Sequence, residues 1–331
     1  MRRNFWSAAV AALVSSIGLG AVSAAQAADY RFLISWDQNY PMRKLLVEPF
    51  IKRVDEASKG SVKLRLSGPE TAPAFEQLQP TGSGVFHFLF THGAYHFGTT
   101  AQATAIEALS GGLDEWRKAG VRQELDKHYN QFGVTLIGLA VSSPGAGYNI
   151  LLRQPVKPTG DLAGYKIRGT PSYGGVVKLL GASPVVLPPG EIYTSLEKGL
   201  VDGAAWPTFG MSSYRWHEVA KYLLRPSFGT TTQLIFANKA MWDKMPAADR
   251  DVVMKELVTL EDDYKKLYDQ VTADEEEQLK SKGVSIVQMG DGHKAKLPGA
   301  WSDGLWELSA QKNKAATEEL RAWAVSKGLA K

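Results

Sequence analysis

From Ala247 to Leu279 the chain runs for 33 residues without a proline or a glycine, and Val253, Leu257, Leu260, Tyr264, Leu267 and Val271 recur along it at spacings of three and four. Side chains spaced in this way share one face of an α-helix. At about 1.5 Å of rise per residue the helix is roughly 50 Å long, which exceeds the width of one small lobe. Any fold available to this chain must therefore give the helix two bodies to lie against, or a partner. One rigid helix laid across two lobes meets this need within a single chain; a coiled-coil arm pairing two chains is the other reading. The acidic runs Glu261-Asp262-Asp263 and Glu275-Glu276-Glu277 read as its solvated face, or as part of a docking surface.

With 44% hydrophobic residues in 331, the chain has material for one large core or two medium ones, and two lobes is the better expectation. There is no cysteine, which excludes disulfides, thiolate metal sites, a cysteine nucleophile and a lipidated N-terminal cysteine. Residues 1–27 have the three parts of a secretory signal: Arg2 and Arg3, an apolar stretch to Val22, and the small residues of Ala25-Gln26-Ala27. The apolar core is shorter than the ~20 residues a membrane span needs, and Gly18 and Gly20 interrupt it, so a cleaved signal with Ala28 as the mature start is expected over a retained anchor. Arg2-Arg3-Asn4-Phe5 fits both an ordinary cationic start and a partial twin-arginine signal. Without Arg2 and Arg3, 36 basic residues face 34 acidic ones, and neither nucleic acid nor an anionic membrane surface is an expected partner.

Tyr30 to Ser35 reads as an apolar strand, Met42 to Ser58 as an amphipathic helix, and Ser61 to Ser67 as a strand with Val62, Leu64 and Leu66 on its buried face. Strand, helix and strand in that order make a parallel unit. Val85 to Thr91 and Val134 to Val141 are two further strands. Past Asp161 the signals become denser. Tyr165-Lys166-Ile167-Arg168 is a short strand that ends at Gly169-Thr170-Pro171; a helix follows from Tyr173 to Leu180, then a strand from Pro184 to Leu187 and a helix opened by Pro188-Pro189. Val201-Asp202-Gly203 then turns into Ala204-Ala205-Trp206-Pro207. In open α/β sheets, ligands collect beyond the carboxyl ends of the strands, where Arg168 and Trp206 both fall.

The run Asp161-Leu162-Ala163-Gly164-Tyr165-Lys166-Ile167-Arg168, followed by Gly181-Ala182 and by Glu191, Tyr193, Leu196, Gly199, Val201, Asp202 and Gly203, resembles the solute-binding proteins of tripartite ATP-independent periplasmic (TRAP) transporters. The exported start, the Gly60-Ser61-Val62 second strand and the long late helix extend the resemblance over most of the chain. It implies a periplasmic binding protein-like α/β fold of two lobes joined by hinge segments, with the long helix spanning both. Residues 28–146 and 233–275 are expected in the first lobe, and 147–232 and 276–331 in the second. It also implies an arginine at position 168 pairing with a ligand carboxylate, and delivery of that ligand to TRAP-type membrane permease subunits. The sequence departs from the family in three places. Tyr148 stands nearest to a second cleft arginine of many members, Ala205-Trp206 stands where Glu-Asn or Glu-Trp is frequent, and His87 replaces an acidic residue of the first lobe's cleft strand.

A guanidinium fork matches the two oxygens of a carboxylate, so Arg168 is the expected anchor. Trp206, Phe209 and Tyr173 are candidate walls, Tyr148 offers a hydroxyl, and His92 is placed to hydrogen-bond a ligand hydroxyl or oxo group. Trp36 and Phe75 are further candidates on the first lobe, with core packing as the competing role. One arginine among aromatics favours a monocarboxylate with an apolar or aromatic body over a compact dicarboxylate or a sugar acid. His87, His92 and His96 do not make a convincing metal set, and neither metal nor cofactor is expected. Phosphate-loop, nucleophile-elbow and His-Glu-x-x-His patterns are missing. The expected product is a periplasmic, monomeric receptor rather than an enzyme; a binding protein of another transporter or sensor class, or an ester or amide hydrolase, are the alternatives.

Overall fold

The computed structural model describes residues 28–331, so the signal segment read over 1–27 lies outside the described residues. Two sheets form the two lobes. The first comprises β1 (Ala28–Ile34), β2 (Val62–Ser67), β3 (Phe88–Thr91), β4 (Val134–Val141) and β10 (Thr232–Asn238), in the order β2-β1-β3-β10-β4. The second comprises β5 (Tyr148–Leu152), β6 (Lys166–Gly169), β7 (Ser183–Val186), β8 (Gly203–Pro207), β9 (Tyr222–Phe228) and β11 (Ser285–Gln288), in the order β11-β9-β5-β8-β6-β7.

In the first sheet β1 runs parallel to β2 and β3, and β10 enters antiparallel between β3 and β4. Its central strands are covered on both faces, and the two-residue alternation of a strand divides them between two cores. Phe32, Ile34, Phe88 and Phe90 join one cluster; Leu33, Leu89 and Leu139 join the other. The strand expected from Val85 begins only at Phe88, because Val85 is exposed and the His87 ring is used to accept the Arg31 N–H at 2.9 Å. The expected helix from Met42 opens as a wider turn over Arg43–Val47 and becomes regular over Glu48–Ala57, with Pro49, which has no N–H to donate, at that junction.

The chain crosses between the lobes at residues 142–147 and 229–231, and a third time along the helix Ala247–Ser281. The first two crossings hydrogen-bond to each other, from Ser142 N to Thr231 O and from Gly147 N to Gly229 O, both at 3.0 Å. Gly147 allows that approach: a Cβ there would lie 2.9 Å from Gly229 O and from Thr231 N. The long helix holds the first lobe through Asp249, which accepts from Ser61 Oγ at 2.6 Å, and Glu256, which accepts from Arg53 Nε at 2.9 Å. It holds the second-lobe side through Tyr268, whose hydroxyl donates to Gly147 O, and through Thr272, 2.7 Å from Thr208 Oγ1.

Two residues of its acidic runs face inward, which corrects the reading of those runs as solvated. Glu261 accepts the Leu139 N–H of the edge strand β4 at 2.7 Å, and Glu275 accepts from Gly210 N at 3.0 Å and Ser212 N at 2.6 Å. An edge strand and a loop each present N–H groups without a backbone partner, and these carboxylates supply the acceptor. The C-terminal helices also differ from the expected division of the chain. Asp291–Lys312 lies on the second lobe through Leu297, Trp301 and Leu305, but Trp306 and, from the last helix Lys314–Ser326, Leu320 and Ala324 enter the first-lobe cluster with Leu33 and Leu89.

His96 lies buried in the first lobe between Tyr129 and Phe236, with Nδ1 3.2 Å from the Tyr129 hydroxyl and Nε2 without a partner. Burial lowers its pKa to about 3, whereas an unfolded histidine titrates near 6.5. The stability gained by keeping this ring neutral is complete above that unfolded value and is lost as pH falls towards the folded one. Between pH 7 and pH 5 the protein should lose about 2 kcal/mol through His96, and His96→Asn should lack that part of the acid slope in urea titrations; equal slopes would refute it.

Candidate functional site

The carboxyl ends of β1, β3, β6 and β8 converge on one cleft. Trp36, His92, Tyr95 and Gln233 reach it from the first lobe; Tyr148, Arg168, Thr170, Tyr173, Trp206 and Pro207 reach it from the second. The walls meet closely around a cavity of about 10 Å³, room for a single water. A larger hollow of about 220 Å³ on the first lobe is lined by Trp116, Leu257 and Val258; of its charged groups, Arg117 and Glu261 pair with each other at 2.7 Å, and Arg122 donates to Leu136 O at 2.9 Å.

Arg168 sits in β6 between β7 and β8, opposite Val185 and Ala204. Gly169 after it lets the chain turn under the Tyr173 ring, where a Cβ would lie 2.5 Å from Tyr173 Cδ2. The guanidinium is fully buried. Nε and Nη2 donate to Leu187 O at 2.9 and 2.6 Å, and Nη1 donates to Ala205 O at 3.2 Å. A guanidinium has five N–H groups, so one remains on each terminal nitrogen, the number that a bidentate carboxylate accepts. Burial lowers the pKa of Arg168 from its ordinary value, opposed by the surrounding hydroxyls of Tyr95, Tyr173 and Tyr214. Among the described residues no carboxylate pairs with it. Its Cζ lies 5.4 Å from the centroid of the Trp206 ring, a cation–π contact.

Further polar atoms around the same cavity are buried without a partner: Trp36 Nε1, Thr170 Oγ1, Trp206 Nε1 and Gln233 Oε1. The Trp36 N–H leans towards the Tyr95 hydroxyl without completing a bond; burial raises the Tyr95 pKa to about 12, and Arg168 and this N–H oppose the rise. Native interiors leave few polar atoms unpaired. Here several of them surround one cation that no carboxylate among the described residues pairs with.

His92 and Tyr148 line the cavity, but their polar atoms are committed elsewhere. His92 Nδ1 accepts from Ala94 N at 3.1 Å, which leaves the proton on Nε2, 2.9 Å from Glu107 Oε1 and 2.8 Å from the Tyr148 hydroxyl. That hydroxyl lies 3.0 and 3.1 Å from the two Glu107 oxygens and 2.8 Å from Thr231 Oγ1. Thr232 donates to Glu107 Oε1 through both N and Oγ1, at 2.9 and 2.8 Å. Glu107 is therefore a buried knot that joins the end of β3, the start of β5 and the crossing into β10.

Of the other residues singled out in the sequence, Trp36 and Tyr173 line the cavity, whereas Phe209 packs on Tyr268 and Tyr40, with ring centroids at 5.0 and 5.7 Å, and Phe75 packs on Tyr95 at 5.2 Å. His87, His92 and His96 have three separate surroundings. Glu107, Tyr95, Thr170 and Gln233 escaped the sequence reading. Two signals were available: Glu107 is a single acid within the apolar stretch Ala101 to Leu109, and Gln233 is a lone amide leading into Leu234-Ile235-Phe236.

Residues 32–305 match the family model described as bacterial extracellular solute-binding protein, family 7. The chain is 26% identical over 217 residues to a monocarboxylate 2-oxoacid-binding periplasmic protein of Nostoc sp., covering 62% of this chain and 58% of that protein. It is 27% identical over 224 residues to a solute-binding protein of Albidiferax ferrireducens, covering 64% of this chain and 65% of that one. These alignments thus span less than two thirds of the length of either relative. A TRAP periplasmic solute-binding protein from Desulfovibrio salexigens, crystallised with bound orotic acid, superposes with a TM-score of 0.80 at 19% identity, over 90% of this chain and 98% of that one.

Replacing Glu107 separates its role as an acceptor from its shape. Glu107→Leu leaves the Thr232 N–H and O–H buried and unpaired while His92 and Tyr148 keep each other and Thr231 as partners, and should lower stability by about 3 kcal/mol, whereas Glu107→Gln keeps an oxygen for the Thr232 donors and should lose about 1 kcal/mol. Urea unfolding of both variants checks this, and similar losses would mean that the carboxylate oxygens are not what holds the knot.

Proposed function

The chain belongs to family 7 of the bacterial extracellular solute-binding proteins, and we propose that it captures a small organic monocarboxylate, anchored by Arg168, and hands it to a TRAP-type membrane permease. The buried guanidinium carries this reading, with one free N–H on each terminal nitrogen and no carboxylate beside it among the described residues. Leaving a cation desolvated is unfavourable by several kcal/mol, and a ligand carboxylate offsets that loss in the geometry the fork prefers. Trp36, Tyr173 and Trp206 provide aromatic walls for the body of the acid. The acid-binding names of the Nostoc and Desulfovibrio relatives support the ligand class.

The cavity is too small for an acid of several heavy atoms, so entry requires the lobes to part about the crossings at 142–147 and 229–231. Ligand contacts from both lobes then favour the closed state, and the difference in affinity between the two states sets how far the population moves. In this reading the chain is exported, loses residues 1–27, acts as a monomer in the periplasm and releases its ligand chemically unchanged.

Arg168→Met should weaken acid binding by roughly 2 to 5 kcal/mol, as expected for truncating one member of a buried charge pair, while the protein stays folded because no protein carboxylate is left unpaired. Calorimetry decides this, and unchanged affinity would remove Arg168 as the anchor. Trp206→Ala should weaken an aromatic acid such as benzoate more than a short aliphatic one such as propionate; equal losses would reduce Trp206 to a packing role.

A further inference from the structure

Within the carboxylate reading, on which this step rests, we infer that the acid carries a hydrogen-bond donor, a hydroxyl or an N–H, which Gln233 reads from the first lobe. Gln233 enters the cavity from β10, on the lobe opposite Arg168, and is fully buried. Its Nε2 donates to the Tyr264 hydroxyl at 3.4 Å, which turns the amide so that Oε1 is the unpartnered end. Tyr264 is itself fixed on the long helix with no exposed surface. The amide is thus held by a rigid element, and its oxygen is the acceptor that the cavity leaves open.

A carboxylate cannot answer it. An ionised carboxylate only accepts hydrogen bonds, and the two free N–H groups of Arg168 on the opposite lobe already give it donors. Gln233 Oε1 needs a proton donor placed away from the carboxylate, and the Thr170 hydroxyl, also unpartnered, adapts to either sense. The acid is then a hydroxy acid or a ring N–H acid. Plain hydrocarbon acids and simple 2-oxo acids have no such donor and would leave the amide oxygen buried and unpaired. Sites built around a ligand O–H or N–H discriminate strongly against analogues that lack it.

The test uses matched pairs of acids: pyrrole-2-carboxylate against furan-2-carboxylate, 3- and 4-hydroxybenzoate against 3- and 4-methylbenzoate, and lactate against isobutyrate. Calorimetry on the full mature chain should show the donor-bearing member binding roughly ten to a hundred times more tightly. Gln233→Leu should abolish that preference, weakening the donor-bearing member and tightening the methyl or furan member, which no longer buries an unpaired oxygen. Gln233→Met, closer in length, replaces it if leucine disturbs β10. Furan or methyl members binding as well as their partners, or a preference that survives both variants, would overturn the inference while Arg168→Met still tests the anchor. If no acid binds the wild-type protein, the inference falls together with the carboxylate reading.

Discussion

The carboxylate of Glu107 fixes the relation between the two lobes. It collects the N–H and O–H of Thr232, the hydroxyl of Tyr148 and the ring N–H of His92, so one buried side chain ties both crossings to the end of β3. A buried polar group is tolerated only when it is richly hydrogen-bonded, and Glu107 is stabilised by the density of its donors. The cavity depends on this knot because His92 and Tyr148 form part of its wall and have their orientations set from behind. Arg168 presents the opposite case. It is equally buried but only partly satisfied, by two carbonyls, with two N–H groups to spare. The fold completes the hydrogen-bond shell of Glu107 and leaves that of its buried cation open.

The long helix answers a different constraint. Two lobes linked by short crossings need a strut, and 35 residues of helix span about 50 Å. Its inward acids, Glu261 and Glu275, hold an edge strand of the first lobe and the loop after β8. Tyr264 and Tyr268 lie between them and reach Gln233 and Gly147. The same face of one helix therefore touches the first lobe, a crossing and a residue of the cavity, which allows the strut to set the cavity wall as well as the distance between lobes.

Much of this was legible from local pattern. The long helix followed from periodicity and the lack of breakers, the parallel strand-helix-strand unit from alternation, and the strand-end position of Arg168 from Gly169 and Pro171. The hidden parts share a physical cause: they depend on contacts between residues far apart in sequence. Glu107 meets Thr232 across 125 positions, and nothing local to either predicts the meeting. The return of Leu320 and Ala324 to the first lobe is hidden for the same reason, since an amphipathic helix shows that it has an apolar face without saying which core receives it. His92 and Tyr148 line the cavity, and sequence alone could not reveal the buried acid that occupies their polar atoms.

Leaving Arg168 without a protein counter-ion has a consequence for closure on the proposed reading. With the lobes apart, water hydrates the guanidinium; as they close, that hydration is lost, and the two carbonyls on Leu187 and Ala205 replace only part of it. A protein carboxylate beside Arg168 would have made the empty closed state comfortable and forced every ligand to displace it. Without one, closure around nothing is opposed by desolvation, and closure around an anion is favoured by the bidentate pair. The same group thus contributes opposite signs to the closed state according to what is bound, which is the differential interaction that a ligand-driven shift requires.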